Sequence, residues 1–152
     1  MKRKIQPVQV YVSSVIDASI DKVWALVRDF NAMPQWHPAI TRSHIEDDRE
    51  SSAVGCIRNF ALAGGGKIRE QLLELSDTHY RFTYCIVESD VGLLDYVAEL
   101  ALSPVTDGDR TFAAWSANFS TERGLEQEKA RMVGQDVFLG GFEALRQRLG
   151  RK

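Results

Sequence analysis

Residues 8–16 (VQVYVSSVI) alternate apolar and polar side chains, the period of a half-buried strand. The period then changes. Val23, Leu26, Val27 and Phe30 recur at i, i+3, i+4 and i+7, which predicts a helix over 20–30. Ser19 stands where an N-cap is expected, and Asp21 in the first turn suits the positive end of the helix dipole. Residues 31–38 (NAMPQWHP) carry two prolines, so this stretch is expected to form at most a short helical turn leading back into a sheet.

From about residue 40 to 121 the pattern is strand after strand: 40–47, 55–62, 67–76, 79–89, 95–104 and 110–121. Turn-forming residues separate them, at Gly64-Gly65-Gly66, Ser76-Asp77-Thr78, Ser89-Asp90-Val91-Gly92 and Thr106-Asp107-Gly108-Asp109. Connections this short join antiparallel neighbours. Residues 124–149 return to helical period, with Phe138, Phe142, Leu145 and Leu149 on one stripe that Met132 extends. The expectation is a single α+β domain over 1–152. A seven-stranded, curved antiparallel sheet wraps a long C-terminal helix, and two short helices follow the first strand. The last helix alone is large enough to cover the sheet's apolar face.

Alternation also assigns faces. The inward set is Arg58, Phe60 and Leu62; Ile68, Glu70 and Leu72; Tyr80, Phe82, Tyr84 and Ile86; Tyr96, Ala98, Leu100 and Leu102; Ala113, Trp115, Ala117 and Phe119. An odd-length turn at the triple glycine sets Phe60 opposite Ile68 and Arg58 opposite Glu70. The same reasoning across Ser76–Thr78 sets Glu70 opposite Tyr84. Around residue 91 it sets Tyr84 opposite Ala98 and Ile86 opposite Tyr96. An even turn at Asp107-Gly108 brings Tyr96 near Phe119 and Leu100 near Trp115. An Arg58–Glu70–Tyr84 ladder would then cross an otherwise apolar concave face. Buried charges are costly unless paired, so the pair is either a self-satisfied structural bridge or the polar anchor of a cavity. Gly134, Gly140 and Gly141 in the last helix either leave room above the sheet or mark a kink or close helix–sheet packing.

Composition narrows the function. The 152 residues are 44% hydrophobic and 26% charged, ordinary for a globular chain, with a net charge of −2 and no Lys/Arg cluster interleaved with aromatics; nucleic acid is not an expected partner. No apolar run is long enough for an integral membrane segment. Gln9, Ser13 and Ser14 interrupt the apolar stretch behind Met1-Lys2-Arg3-Lys4, which reads as a strand rather than a leader. Cys56 and Cys85 lack metal-ligand spacing and read as free thiols of a cytoplasmic protein. No metal and no cofactor are expected. For chemistry, a desolvated Glu70 beside Tyr84 and Tyr96 could act as acid or base, with Arg58 stabilising an enolate, although pairing with Arg58 weakens Glu70 as a base. His37, between Trp36 and Pro38, reads as a hinge or surface residue more readily than as a catalyst.

Several stretches together resemble the START-like, or SRPBCC, helix-grip superfamily, and within it the polyketide cyclase/dehydrase and lipid-transport branch. They are the Ala18–Phe30 helix with Val23-Trp24, then Trp36-His37-Pro38-Ala39-Ile40, Gly55-Cys56-Ile57-Arg58, Glu70–Leu75, Tyr84, Tyr96 and Trp115. A distant resemblance to plant abscisic acid receptors implies a gate at Ala63–Gly66 and a latch at Ser89–Leu94, although the receptors' Ser-Gly-Leu-Pro-Ala and His-Arg-Leu motifs are absent. The resemblance implies a cavity for a lipid-like, aromatic or polyketide-like molecule, held by a carrier or sensor. A cyclase, aromatase or dehydratase is the alternative, and a stress-related protein with an incidental cavity the next. The expected ligand-contact residues are Trp36, His37, Arg58, Phe60, Leu62, Glu70, Leu72, Tyr84, Ile86, Tyr96, Trp115, Phe119, Phe138 and Phe142. A homodimer is left open.

Overall fold

The structure, a computed structural model, describes residues 4–151. Strand β1 (Ile5–Ile16) leads into helix α1 (Ile20–Val27) and the short α2 (Met33–Trp36). Six strands follow: β2 (Ile40–Ile45), β3 (Ile57–Leu62), β4 (Lys67–Ser76), β5 (Arg81–Ser89), β6 (Leu94–Val105) and β7 (Arg110–Glu122). They form one antiparallel sheet in the order β1-β7-β6-β5-β4-β3-β2. The sheet's two ends are thus joined in sequence only through α1 and α2, while every other connection is a hairpin. Ser19 does sit at the N-terminus of α1, but its side chain makes no capping bond; its carbonyl receives the Lys22 and Val23 amides instead.

The last helix runs as α3 (Glu126–Arg131), a π-helical stretch Met132–Leu139 and α4 (Gly140–Leu149). In the π stretch the Gly140 amide reaches back to the Gln135 carbonyl. Such widened turns shift the phase of every later side chain. Gly134 inside this stretch and Gly141 just after it bring backbone close to neighbouring side chains. A Cβ on Gly141 would lie 3.0 Å from both His37 Cδ2 and Trp115 Cζ3, and one on Gly134 would lie 3.1 Å from Val10 Cγ1. Close packing is therefore their use, not the opening of a void. It lets Phe138 stack on Trp115 with ring centroids 4.5 Å apart and 12° between planes. Trp115, Phe138 and Phe142 are all essentially inaccessible.

The hairpin registers place the inward polar groups. Arg58 pairs with Glu70 and Phe60 with Ile68 across the glycine turn. The next hairpin departs from expectation: Glu70 faces Ile86, and Leu72 faces Tyr84. Two features cause this. The turn after β4 is longer by virtue of Tyr80, whose φ of 54° places it in the left-handed region. A bulge at Leu73 then inserts one unpaired residue between the turn and Leu72; a second bulge, at Val87, lies beyond the Glu70–Ile86 pair. The expected Arg58–Glu70–Tyr84 ladder is therefore cut between its second and third rungs. Beyond it, Tyr84 pairs with Ala98 and Leu100 with Trp115.

Candidate ligand-binding site

Between the concave face and the π stretch lies an internal cavity. Arg58, Phe60, Leu62, Ile68, Glu70, Tyr84, Ile86 and Tyr96 supply the sheet side. Met33, Ile40 and Leu93 close the ends, and Met132, Val133 and Val137 form the helix side. The volume open to the centre of a water-sized sphere is about 40 Å³, room for a few waters. Its wall is overwhelmingly apolar apart from one charged pair and two hydroxyls.

Arg58 is 2% exposed and Glu70 5%. Arg58 Nε donates to Glu70 Oε1 at 2.8 Å, its Nη2 lies 2.7 Å from the same oxygen, and Nη1 donates to the Phe30 carbonyl at 3.1 Å. Aromatic rings cover the guanidinium: its central carbon is 3.8 Å from the Phe30 centroid and 4.9 Å from that of Tyr84. Burial pushes the Glu70 carboxyl up from its ordinary range, against the pull of the Arg58 charge and hydrogen bond. The Tyr84 hydroxyl accepts from Trp115 Nε1 at 2.9 Å. Burial, with the Glu70 charge, also pushes Tyr84 and Tyr96 up, so both stay protonated phenols.

Next to Leu62 and Leu93 of the cavity wall, two hairpin loops hold each other. The Lys67 amide donates to Asp90 Oδ1 at 2.9 Å. Gly66, at φ +114°, lies so near Val91 that a Cβ would stand 3.0 Å from its Cγ1. Gly92, at φ +75°, lies as close to the Lys129 side chain of α3. Leu62 and Leu93, next to these loops, reach the cavity itself.

His37 is buried rather than at a surface or hinge. The Ala39 amide donates to its Nδ1 at 3.1 Å, so the proton resides on Nε2, which donates to the Val137 carbonyl at 2.6 Å. The neutral ring thus clamps the α2–β2 connection to the π stretch. Desolvation lowers its pKa from the ordinary 6.5, Val137 opposing and the Arg58 charge adding. A depressed histidine stabilises the fold above its unfolded pKa, and that contribution is lost as pH falls from about 6.5 through the folded value. Urea midpoints should accordingly drop between pH 7.5 and pH 5.5, and His37→Gln, which cannot titrate, should flatten that slope. An unchanged slope in the variant would remove His37 as its source.

Of the residues singled out from sequence, Arg58, Phe60, Leu62, Glu70, Tyr84, Ile86 and Tyr96 line the cavity. Trp36, His37, Leu72, Trp115, Phe119, Phe138 and Phe142 do not; they are packed core behind it. Leu72 is fully buried in that core, and Phe119 packs against the wall residue Tyr96, ring centroids 5.8 Å apart. The helix contributes Met132, Val133 and Val137 rather than Phe138 and Phe142, which pack on Trp115. Ile68 and Met132 were assigned inward by period and could have been named; Met33, Ile40 and Leu93 sit at element ends, where period carries no signal. Among the described residues no cluster of His, Cys, Asp or Glu could hold a metal, and no helix is long and apolar enough to cross a membrane.

A curved antiparallel sheet gripping a long C-terminal helix over an apolar cavity defines the helix-grip class of α+β proteins. The chain belongs to the polyketide cyclase / dehydrase and lipid transport family, which it matches over residues 7–150. It is similar in structure to the protein XoxI from Bacillus cereus (23% identity, TM-score 0.83, covering 93% of this chain and 95% of that one). A protein from Thermobifida fusca is similar at 26% identity and TM-score 0.83, covering 94% and 93%. Truncated norcoclaurine synthase from Thalictrum flavum shares the fold at 15% identity and TM-score 0.76, covering 100% and 99%. No curated protein matches the sequence at a significant level.

Proposed function

We propose that this protein binds a hydrophobic small molecule between the sheet and the C-terminal helix, as a carrier or sensor. The observation that supports this most is a void beside a fully buried Arg58–Glu70 pair on an otherwise apolar concave face. A pair that served packing alone has no need of empty space at its side. Ligand pockets are commonly about 300–1,000 Å³, so a ligand of that size has to enlarge the cavity. The means are at hand: Met33 and Met132 are unbranched and adaptable, and the loops at 63–66 and 89–94 hold each other mainly through Asp90.

Two measurements test this. Native mass spectrometry of freshly purified protein should show a mass increment that organic extraction removes and that proves to be an apolar compound. Protein that stays empty and takes up no neutral apolar probe would overturn the reading. Amide exchange should be at least about a hundredfold faster at 63–66 and 89–94 than in the centre of β6, and should slow on ligand binding. Loops as protected as β6 would rule them out as the gate. A second reading, a cyclase or dehydratase, draws on one observation: burial raises the basicity of Glu70 beside two phenols, the condition for acid–base chemistry.

A further inference from the structure

We infer that the ligand's polar group is a hydrogen-bond donor on a neutral molecule, an alcohol or phenol hydroxyl, and that the site rejects carboxylates. The inference rests on the ligand-binding reading above and concerns the same cavity. An arginine on a cavity wall invites the opposite assignment, an anchor for an acid. The geometry argues against it. Arg58 directs its Nε and Nη2 at Glu70 Oε1 and its Nη1 at the Phe30 carbonyl. The Phe30 and Tyr84 rings flank it. Its charge is neutralised by Glu70, and Nε, Nη1 and Nη2 each already face an oxygen, so an incoming acid would have to compete with Glu70 for the guanidinium.

What the cavity has unused is acceptor capacity. Both Arg58 contacts fall on Oε1 of Glu70, and Oε2 accepts from no described residue. Among the described residues the sealed side-chain polar atom left unpartnered is Trp36 Nε1, so Oε2 is not sealed in packing but keeps contact with the void that Glu70 lines. A carboxylate presents about four acceptor sites and no donor. The Tyr96 hydroxyl, also on the wall, lies beside that of Tyr84 and pairs with it. A ligand hydroxyl can donate to Glu70 Oε2 while accepting from a tyrosine. A ligand carboxylate would bring a second anion against Glu70 where little water screens it, an arrangement in which only one of the two readily ionises. An apolar ligand without the hydroxyl would leave Oε2 dehydrated and unpaired.

Isothermal titration at pH 7.5 with naphthalene, 2-naphthol and 2-naphthoate, which share one apolar body, separates these cases. 2-Naphthol should bind roughly ten- to a hundredfold more tightly than naphthalene, the range of a hydrogen bond to a charged acceptor, and 2-naphthoate should bind most weakly. Tyr96→Phe should reduce the advantage of 2-naphthol over naphthalene. Glu70→Gln should reduce it further and admit 2-naphthoate; if that variant does not fold, the wild-type series and Tyr96→Phe still decide. Binding of 2-naphthoate as tight as that of 2-naphthol would overturn the inference and leave the pocket reading standing. No binding by any of the three would overturn both.

Discussion

Replacing Arg58 with leucine should lower the unfolding free energy by about 3–5 kcal/mol, the cost of leaving one member of a buried ion pair uncompensated. Glu70 would remain with no counter-charge in a site from which water is nearly excluded. The Phe30 carbonyl would lose its donor as well, and the Phe30 ring would lose the cation above it. The double variant Arg58→Leu/Glu70→Leu should recover most of the loss, because well-packed apolar replacement of a whole buried pair is often neutral or better. Denaturant titrations of the two single variants and the double complete the cycle. A double variant no more stable than Arg58→Leu would mean that shape at position 58, not charge, governs the fold. Recovery of stability together with loss of ligand uptake would mark the pair as one kept for binding.

Glu70→Gln should retain hydrophobic ligand binding to within about tenfold, since apolar burial supplies most of the affinity and an amide still presents an oxygen. On the carrier reading a bound ligand comes back chemically unchanged from both wild type and variant. On the acid–base reading wild type transforms it, and the variant loses roughly two to four orders of magnitude in turnover. The expected result is the first, checked by mass spectrometry of extracted ligand after prolonged incubation. Acid–base turnover that Glu70→Gln abolishes would replace it with the second. The variant also carries a pH signature. The raised carboxyl pKa means the native state holds its proton more tightly than the unfolded chain. That contribution is full below about 4.5 and is lost as pH rises through the folded value. Glu70→Gln should remove it, a trend opposite in sign to that of His37.

Much of this architecture was legible in the pattern of the chain. Period-two segments and short turns specify antiparallel hairpins whatever the side chains' identity, and the final helix had no alternative partner for its apolar stripe. The Arg58–Glu70 pairing followed from turn parity at Gly64–Gly66, since one face is buried and a one-residue slip would expose it. The Tyr84 rung did not follow. Leu72-Leu73 are both apolar, so the bulge at Leu73 leaves no mark on the alternation, and nothing local announces that Tyr80 adopts a left-handed conformation.

Tertiary packing decided the rest, above all which aromatics are wall and which are core. On a period of 3.6 the Phe138 stripe should face the void. Phe138 and Phe142 instead pack on Trp115, and Met132, Val133 and Val137 line the cavity. Gly141 lets the helix approach closely enough for that stack to form, which leaves the cavity small, with its polar atoms on Arg58, Glu70, Tyr84 and Tyr96. His37 shows the same limit: a histidine between Trp36 and Pro38 carries no sign of its surroundings until the Val137 carbonyl, a hundred residues away in sequence, meets it. Sequence period records which face of an element is apolar. How two apolar faces close on each other, and the void and unpaired oxygens left between them, depends on close packing of residues distant in the chain.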